Sequence, residues 1–452
     1  MTSESETPVQ GTVKDTFCVI PWMHRFTDEQ GYNKLCCVAD WETSFLLDES
    51  GNRMNVSQML TDEQVLNSPS AKEVRVQMMR GEWPATCERC RQFEEAGGTS
   101  NRHHFNSRFD KGRAPEWLAD TAPDGTLGHP VVRYMDIRLG NVCNLTCRMC
   151  GPGASRLWTP IYNKVQPEGF SISQAELVHI GQNNWVKRES VDALIGQNIE
   201  GIESMHFAGG EPLIIPEMVQ ALEACVASGR AGEIDLSYNT NLTVLPEKVT
   251  SLWPHFRNVN LLCSVDGFGS VTEYIRRPSK WADIDRNLKL IDDHFEEWKI
   301  RSAALSLTAQ IYNILTINEL VEYLRTSGMK HVRLLPHLVP LFTPKYLSIQ
   351  ALPQAVKKLA RQKLEAEVDR PQARELEYHH YFAGAVASTL AYMDEADTSD
   401  DLPAFFEFCK KSDKAFGDSW EKALPELASA LPDRGRAWSI PSLPLIGQLF
   451  AR

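Results

Sequence analysis

The sequence predicts an α/β chain: a parallel sheet curled into an open or partial barrel, with a small cysteine-rich hairpin and helix domain before it and a helical region after it. Two observations carry that expectation. Between residues 131 and 340, short apolar or β-branched runs alternate with stretches of helical periodicity, the pattern of strands joined by crossover helices. The 11 cysteines are unevenly spread, with eight of them at 18, 36, 37, 87, 90, 143, 147 and 150. The 452 residues are about three times the length of a typical domain, so several structural units are expected.

In chain order, residues 1–16 read as a flexible tail. Residues 17–130 read as an N-terminal domain and linker. Within it, Phe17 to Asp40 reads as two extended runs about the turn signal Asp28-Glu29-Gln30-Gly31. Residues 57–82 read as helical, ending at Gly81. Residues 97–130, rich in Gly, Asn, Asp and Pro, read as a linker in which Arg102, Arg108, Lys111 and Arg113 form a solvated basic segment.

Six strand runs follow, at 131–138, 204–208, 234–238, 258–265, 303–311 and 331–339. Pro216 opens a helix through Met218, Val219, Leu222 and Val226, closed near Gly229. Ile284, Leu288, Ile291, Phe295 and Trp298 share one helical face. Thr316 and Glu319 read as a capping box, with Gly328 as the C-cap. Residues 160–200 exceed a normal crossover and read as an insertion. From 341 to 452 helical patterns dominate.

Composition narrows the function. Lys+Arg 47 against Asp+Glu 59 leaves a formal charge of −12, which disfavours general binding to nucleic acid or anionic membrane. No run approaches the roughly 20 apolar residues that span a bilayer. The N-terminus, MTSESETPVQ, is polar and acidic rather than a signal peptide, so a reducing cytoplasm is expected. There, an odd cysteine count points to metal or redox chemistry rather than a disulfide framework.

Cys143, Cys147 and Cys150 lie in CNLTCRMC, directly after the first strand of the alternating region. Three soft thiolates converging from one loop suit zinc, copper(I) or an iron–sulfur cluster. Structural zinc wants four closed ligands; a three-cysteine cluster leaves one iron open to a small molecule. The next strands end in Phe207-Ala208-Gly209-Gly210-Glu211-Pro212, Ser237-Tyr238-Asn239-Thr240-Asn241 and Ser264-Val265-Asp266-Gly267. In a parallel α/β sheet these strand ends form one ligand-binding rim. Paired glycines allow close backbone approach, and Glu211 can accept a bond from an ammonium group.

Upstream, Cys87 and Cys90 have metal-knuckle spacing, and the predicted hairpin brings Cys18 near Cys36 and Cys37. Adjacent strand residues face opposite ways, so only one of that last pair can ligate the same centre. Four ligands remain, the closed number for zinc or an iron–sulfur cluster. Cys225, Cys263 and Cys409 read as buried hydrophobes. His103-His104 and Tyr378-His379-His380-Tyr381 make poor ligand pairs, because adjacent helical residues diverge.

CNLTCRMC, AGGEP and SVDG together resemble the radical S-adenosylmethionine (SAM) superfamily over residues 131–340. That resemblance implies a partial (βα)6 TIM-like barrel with a 4Fe–4S cluster on Cys143, Cys147 and Cys150. It also implies SAM, chelating the open iron, as cofactor. Gly209, Gly210 and Glu211 would meet its amino group, and Asn239 and Ser264 its ribose side. Met149 stands where many members carry an aromatic residue near the adenine. Reductive cleavage of SAM would give a 5′-deoxyadenosyl radical that abstracts hydrogen from a substrate.

FCVIPW, DEQGYNKLCC and GEWPATCERC resemble the SPASM/Twitch modules of that superfamily, here preceding the barrel. That implies an auxiliary iron–sulfur cluster on Cys18, Cys36, Cys87 and Cys90, with Cys36 preferred over Cys37 because it follows Gly31 by five residues. A small electron donor of flavodoxin or ferredoxin type is implied as partner, and a peptide as substrate. A sugar, nucleoside or cofactor precursor is the alternative substrate; a non-catalytic iron–sulfur scaffold is the alternative from another class.

Overall fold

The computed structural model describes residues 13–40, 42–95, 98–182, 185–196, 199–333, 335–370 and 376–431. Most of the predicted tail and the last part of the helical region therefore lie outside the described residues.

One eight-stranded sheet organises the chain, in the order β2-β1-β3-β4-β5-β6-β7-β8. The strands are β1 (His24–Thr27), β2 (Asn33–Lys34), β3 (Tyr134–Arg138), β4 (Ser204–Ala208), β5 (Asp235–Thr240), β6 (Asn258–Ser264), β7 (Ile300–Ala309) and β8 (His337–Pro340). All neighbours are parallel except β1 and β2. The six predicted barrel strands are β3 to β8. The sheet is open, and the N-terminal hairpin is part of it: β1 pairs with β3, placing Phe26 opposite Asp136.

Extended structure was expected throughout Phe17–Asp40, but Ile20–Met23 is a helical turn opened by Pro21. The turn itself falls where predicted. Asp28 Oδ1 accepts from the Gln30 and Tyr32 amides at 2.9 Å each, and Gly31 takes φ +82°. Residues 57–82 hold two helices, Asp62–Leu66 and Pro69–Arg80, capped by Gly81 in the left-handed region.

The expected linker is folded as well, with helices at Asn101–Phe109 and Ala114–Ala119. Two of its four basic residues, Arg102 and Arg113, are withdrawn from solvent, whereas Arg108 and Lys111 stay exposed as expected. Arg102 pairs with Glu94 at 2.6 Å, Arg113 with Glu203 at 2.6 Å, and Arg108 donates to Ser204 Oγ at 3.0 Å.

Sheet alternation decides the layers. Met135, Ile137, Met205, Phe207, Leu236, Leu261 and Leu305 point to the buried outer face. There they pack with Leu222, Ile284, Leu288, Leu320 and Leu324 in one apolar core, each such side chain worth about 1.5–3 kcal/mol of burial. The intervening residues face inward and are half-buried, including His206, Ser237, Asn239, Asn260, Ser264 and Ser306.

The helix Pro216–Ala227 begins at its proline as predicted. The helix Trp281–Asp293 buries Ile284, Leu288 and Ile291 but stops before Phe295 and Trp298. The Thr316–Glu319 capping box is absent, because the Thr316 hydroxyl instead donates to the Asn313 carbonyl at 3.2 Å. The insertion carries helices at Gln174–Gln182 and Arg188–Gly196. Helices dominate from Gln354 onward.

Candidate metal centres

The loop after β3 carries Cys143, Cys147 and Cys150, and its shape is set by backbone bonds to its neighbours. The Thr146 amide donates to Arg277 O at 2.6 Å, the Arg148 amide to Ile275 O at 2.8 Å, and the Cys150 amide back to Cys147 O at 2.9 Å. Trp158 Nε1 donates to Cys147 O at 3.2 Å.

The thiols of Cys147 and Cys150 share a hydrogen bond that raises the first and lowers the second, and Cys143 lies within electrostatic reach of both. Burial pushes the Cys143 thiol up to about 12, so deprotonation there needs a bound cation. Positive groups face the sulfurs. The Leu145 amide lies 3.5 Å from Cys143 Sγ, Asn241 Nδ2 lies 3.9 Å from it, and Arg276 Nη1 lies 4.0 Å from Cys147 Sγ.

The glycine pair packs on this loop. Gly209 has φ +77° and Gly210 φ +22°, and a Cβ built on Gly210 would sit 2.0 Å from Val142 O. The Glu211 amide donates to that same carbonyl at 2.8 Å.

Glu211 itself departs from the expectation that its carboxylate meets an ammonium group. The residue is fully buried, and its oxygens accept from the Leu213 amide at 3.1 Å, the Thr240 hydroxyl at 2.8 Å and the Asn241 amide at 2.6 Å. Burial raises its carboxyl to about 7 despite these bonds. The carboxylate is spent holding β5's end against the glycine turn, because a buried charge must be satisfied within the fold. Met149, Asn239 and Ser264 are half-buried. Asn239 Oδ1 is buried with no hydrogen-bond partner among the described residues.

Several contributors escaped the sequence reading. Asn241 joins Cys143 to Asn144, donating to the latter's Oδ1 at 2.8 Å. Asp266 of the SVDG stretch is buried, accepts from the Thr308 amide at 2.8 Å and pairs with Arg276 Nε at 2.7 Å, aiming that guanidinium at the cysteine loop. The stretch was noticed for Ser264, whereas nothing in the local pattern marked Arg276.

The N-terminal thiols gather at a second place in the fold. Cys18, Cys36, Cys87 and Cys90 line one cavity of about 450 Å³ including its mouth, beside Leu35, Met78, Trp83 and Arg102. Burial pushes Cys87 up to about 12 and Cys18 upward too. Cys37 is not among the lining residues; its thiol bonds that of Cys36 as well as Asp136, and lies beside Arg138. Among the described residues no three Cys, His, Asp or Glu side chains converge on a point suited to one metal ion; a polynuclear centre spreads its ligands wider. His103 Nδ1 accepts from the Ser100 amide at 3.3 Å and its Nε2 lies 3.0 Å from Arg102 Nη2, and His379 Nε2 lies 2.7 Å from Val368 O. Tyr378 lies outside the residues whose side chains are described. Cys225, Cys263 and Cys409 are fully buried.

Residues 137–307 match the family described as Radical SAM superfamily. This stretch is a radical SAM domain. Two relatives resemble part of this chain: GTP 3′,8-cyclase 3 of Mycobacterium bovis, 30% identical over 122 residues, and GTP 3′,8-cyclase 1 of Mycobacterium tuberculosis, 29% identical over 145. Those alignments cover 26% and 29% of this chain, and 27% and 34% of the relatives, so the chain spans about a third or less of the relatives it matches. Among solved structures, Streptococcus suis SuiB covers 80% of this chain and 70% of its own at 11% identity and TM-score 0.37. SuiB bound to precursor peptide SuiA covers 63% and 59% at 13% identity and TM-score 0.34.

A radical SAM domain implies a 4Fe–4S cluster and SAM, and the residues present fit them. Three soft thiolates, N–H donors aimed at sulfur and the Arg276 cation suit an anionic iron–sulfur centre. Among the described residues no helix is long and apolar enough to cross a membrane.

Proposed function

We propose that this chain is a radical SAM enzyme that holds a 4Fe–4S cluster on Cys143, Cys147 and Cys150, cleaves SAM reductively and takes hydrogen from a peptide or similarly amide-rich substrate. The cofactors supply the radical; the protein orients, desolvates and restrains. Support for the site comes from the contact of the Gly209–Gly210 turn with the cysteine loop. In this reading Met149, Gly209, Gly210, Asn239 and Ser264 line SAM, and Glu211 contributes backbone while its carboxylate holds Asn241. Cys18, Cys36, Cys87 and Cys90 hold an auxiliary iron–sulfur cluster, and a cytoplasmic flavodoxin- or ferredoxin-type protein supplies electrons.

The observation that carries the substrate reading is a polar row on the inner face. Strand register aligns Asp136, His206, Ser237, Asn260 and Ser302 side by side across β3 to β7. A packed barrel fills such a layer with branched apolar side chains; this row instead offers donors and acceptors. Asp136 faces Arg138 at 3.4 Å, and burial lowers His24 and His206 to about 4, leaving both neutral. The row is thus charge-balanced, which suits amide groups better than a nucleoside triphosphate with several negative charges.

The guanosine nucleotide named in the relatives is the second reading, favoured by their 30% identity over 122 residues. Anaerobic, reduced, reconstituted protein with SAM decides between them by 5′-deoxyadenosine yield. Short peptides encoded near this gene are expected to raise that yield, and GTP to leave it at the basal level. Stimulation by GTP alone reverses the substrate assignment, and absence of deoxyadenosine under every condition overturns the enzyme reading.

A further inference from the structure

Arg148 stands between Cys147 and Cys150, yet its side chain runs away from them. That side chain is 0% exposed and ends against the helix Leu402–Phe416 and the turn that follows it. Nη2 lies 2.9 Å from Asp413 Oδ1 and 3.0 Å from Asp418 Oδ2. Nε donates to Tyr274 O at 3.0 Å, and Nη1 donates to Ser412 Oγ. The guanidinium carbon lies 3.6 Å from the centre of the Tyr274 ring. The partners are themselves fastened. Asp413 accepts from the Tyr274 hydroxyl at 2.8 Å and the Trp420 amide at 2.7 Å, and Asp418 pairs with Arg277 at 2.9 Å. Arg277 O and Ile275 O hold the cysteine loop through the Thr146 and Arg148 amides.

A guanidinium buried without its carboxylates is strongly unfavourable. The loop conformation seen here is therefore satisfied only when Ser412–Trp420 is docked. We propose that this C-terminal segment is part of the radical cluster site, and that Arg148 is the positioning residue coupling its docking to cluster binding by Cys147 and Cys150. The proposal rests on the radical SAM assignment of those cysteines. Groups that orient metal ligands without touching the metal typically control affinity by about 10–100-fold, and Arg148 does so through the turn joining two of the three ligands.

The test uses the full-length chain, reconstituted anaerobically with iron and sulfide, as wild type, Arg148→Met, Arg148→Lys and Asp413→Asn. Readouts are iron per chain, iron release to a chelator, the electron paramagnetic resonance spectrum of the reduced protein with and without SAM, and the far-ultraviolet dichroism melt. The expected result is a folded Arg148→Met protein whose SAM-responsive signal is lost and whose iron release from that centre is about 10–100-fold faster. The SAM-indifferent signal of the N-terminal centre stays unchanged, Asp413→Asn moves the same way, and Arg148→Lys recovers part of the signal. Wild-type release and a wild-type SAM response in folded Arg148→Met overturn the proposal. So does parallel loss of both signals with the melt, which is general destabilisation. Should Arg148→Met fail to fold, Asp413→Asn decides by the same criteria. A wild-type protein with no SAM-responsive signal would instead indict the cluster assignment itself.

Discussion

Gly210 has φ +22°, and its virtual Cβ overlaps Val142 O at 2.0 Å. Val142 O is backbone, and a Cβ is fixed to its Cα with no torsion that turns it away, so neither atom can swing aside. Gly210→Ala is expected to push the cysteine loop off the glycine turn and weaken SAM binding at least tenfold, measured by titration on the reconstituted protein; unchanged affinity would detach the turn from the SAM site. Glu211 acts at the same junction from inside. Glu211→Gln leaves one of its donors facing an amide N–H, at a cost of about 1–3 kcal/mol in apo stability. Chemical denaturation measures that cost, and no loss would mean the carboxylate is not the clasp its three bonds describe. His24 supplies a pH test. Burial lowers it from the ordinary 6.5 to about 4, so between these values the unfolded chain binds more protons than the folded one. Stability from this residue is fully present above the upper value and is lost as pH falls through the window, by about 3 kcal/mol for the whole shift. His24→Asn is expected to flatten that acid slope in thermal melts, and an unaltered slope would place the histidine's proton elsewhere. The thiols and glycines were legible because their spacing is local. Arg276 and Arg148 were not, because the partners that give them meaning sit on distant segments.

Among the elements, β3 to β8 were readable as alternating runs, since each run states its own periodicity. The place of β1 was not: its parallel pairing with β3 joins segments about 110 residues apart, and a four-residue strand carries little pattern of its own. The linker misled for a related reason, as its arginines look solvated until Glu94 and Glu203 are brought to them. Strand alternation does not sort Cys36 from Cys37, because both follow the end of β2 at Lys34 and their thiols bond each other; only Cys36 lines the cavity, while Cys37 also reaches Asp136. Changing Cys87 and Cys90 together to alanine is expected to remove the iron of the N-terminal centre while SAM cleavage persists and product formation stops. Loss of SAM cleavage in that variant would show that the two thiol sets do not act as separate centres.

Across the whole molecule, the open sheet gives each face one task. Its outer face buries the apolar core, and its inner face presents the polar row. The C-terminal region closes the arrangement by gripping the cysteine loop, a role its own sequence never announced. The proposed function requires two distinct iron–sulfur centres, one open to SAM and one closed by four thiolates. Iron counting and spectroscopy on the triple variant Cys143→Ala, Cys147→Ala, Cys150→Ala test this most directly. The predicted result is about one cluster per chain, with a spectrum indifferent to SAM and no deoxyadenosine formed. A colourless protein holding zinc, or one that still cleaves SAM, would contradict it.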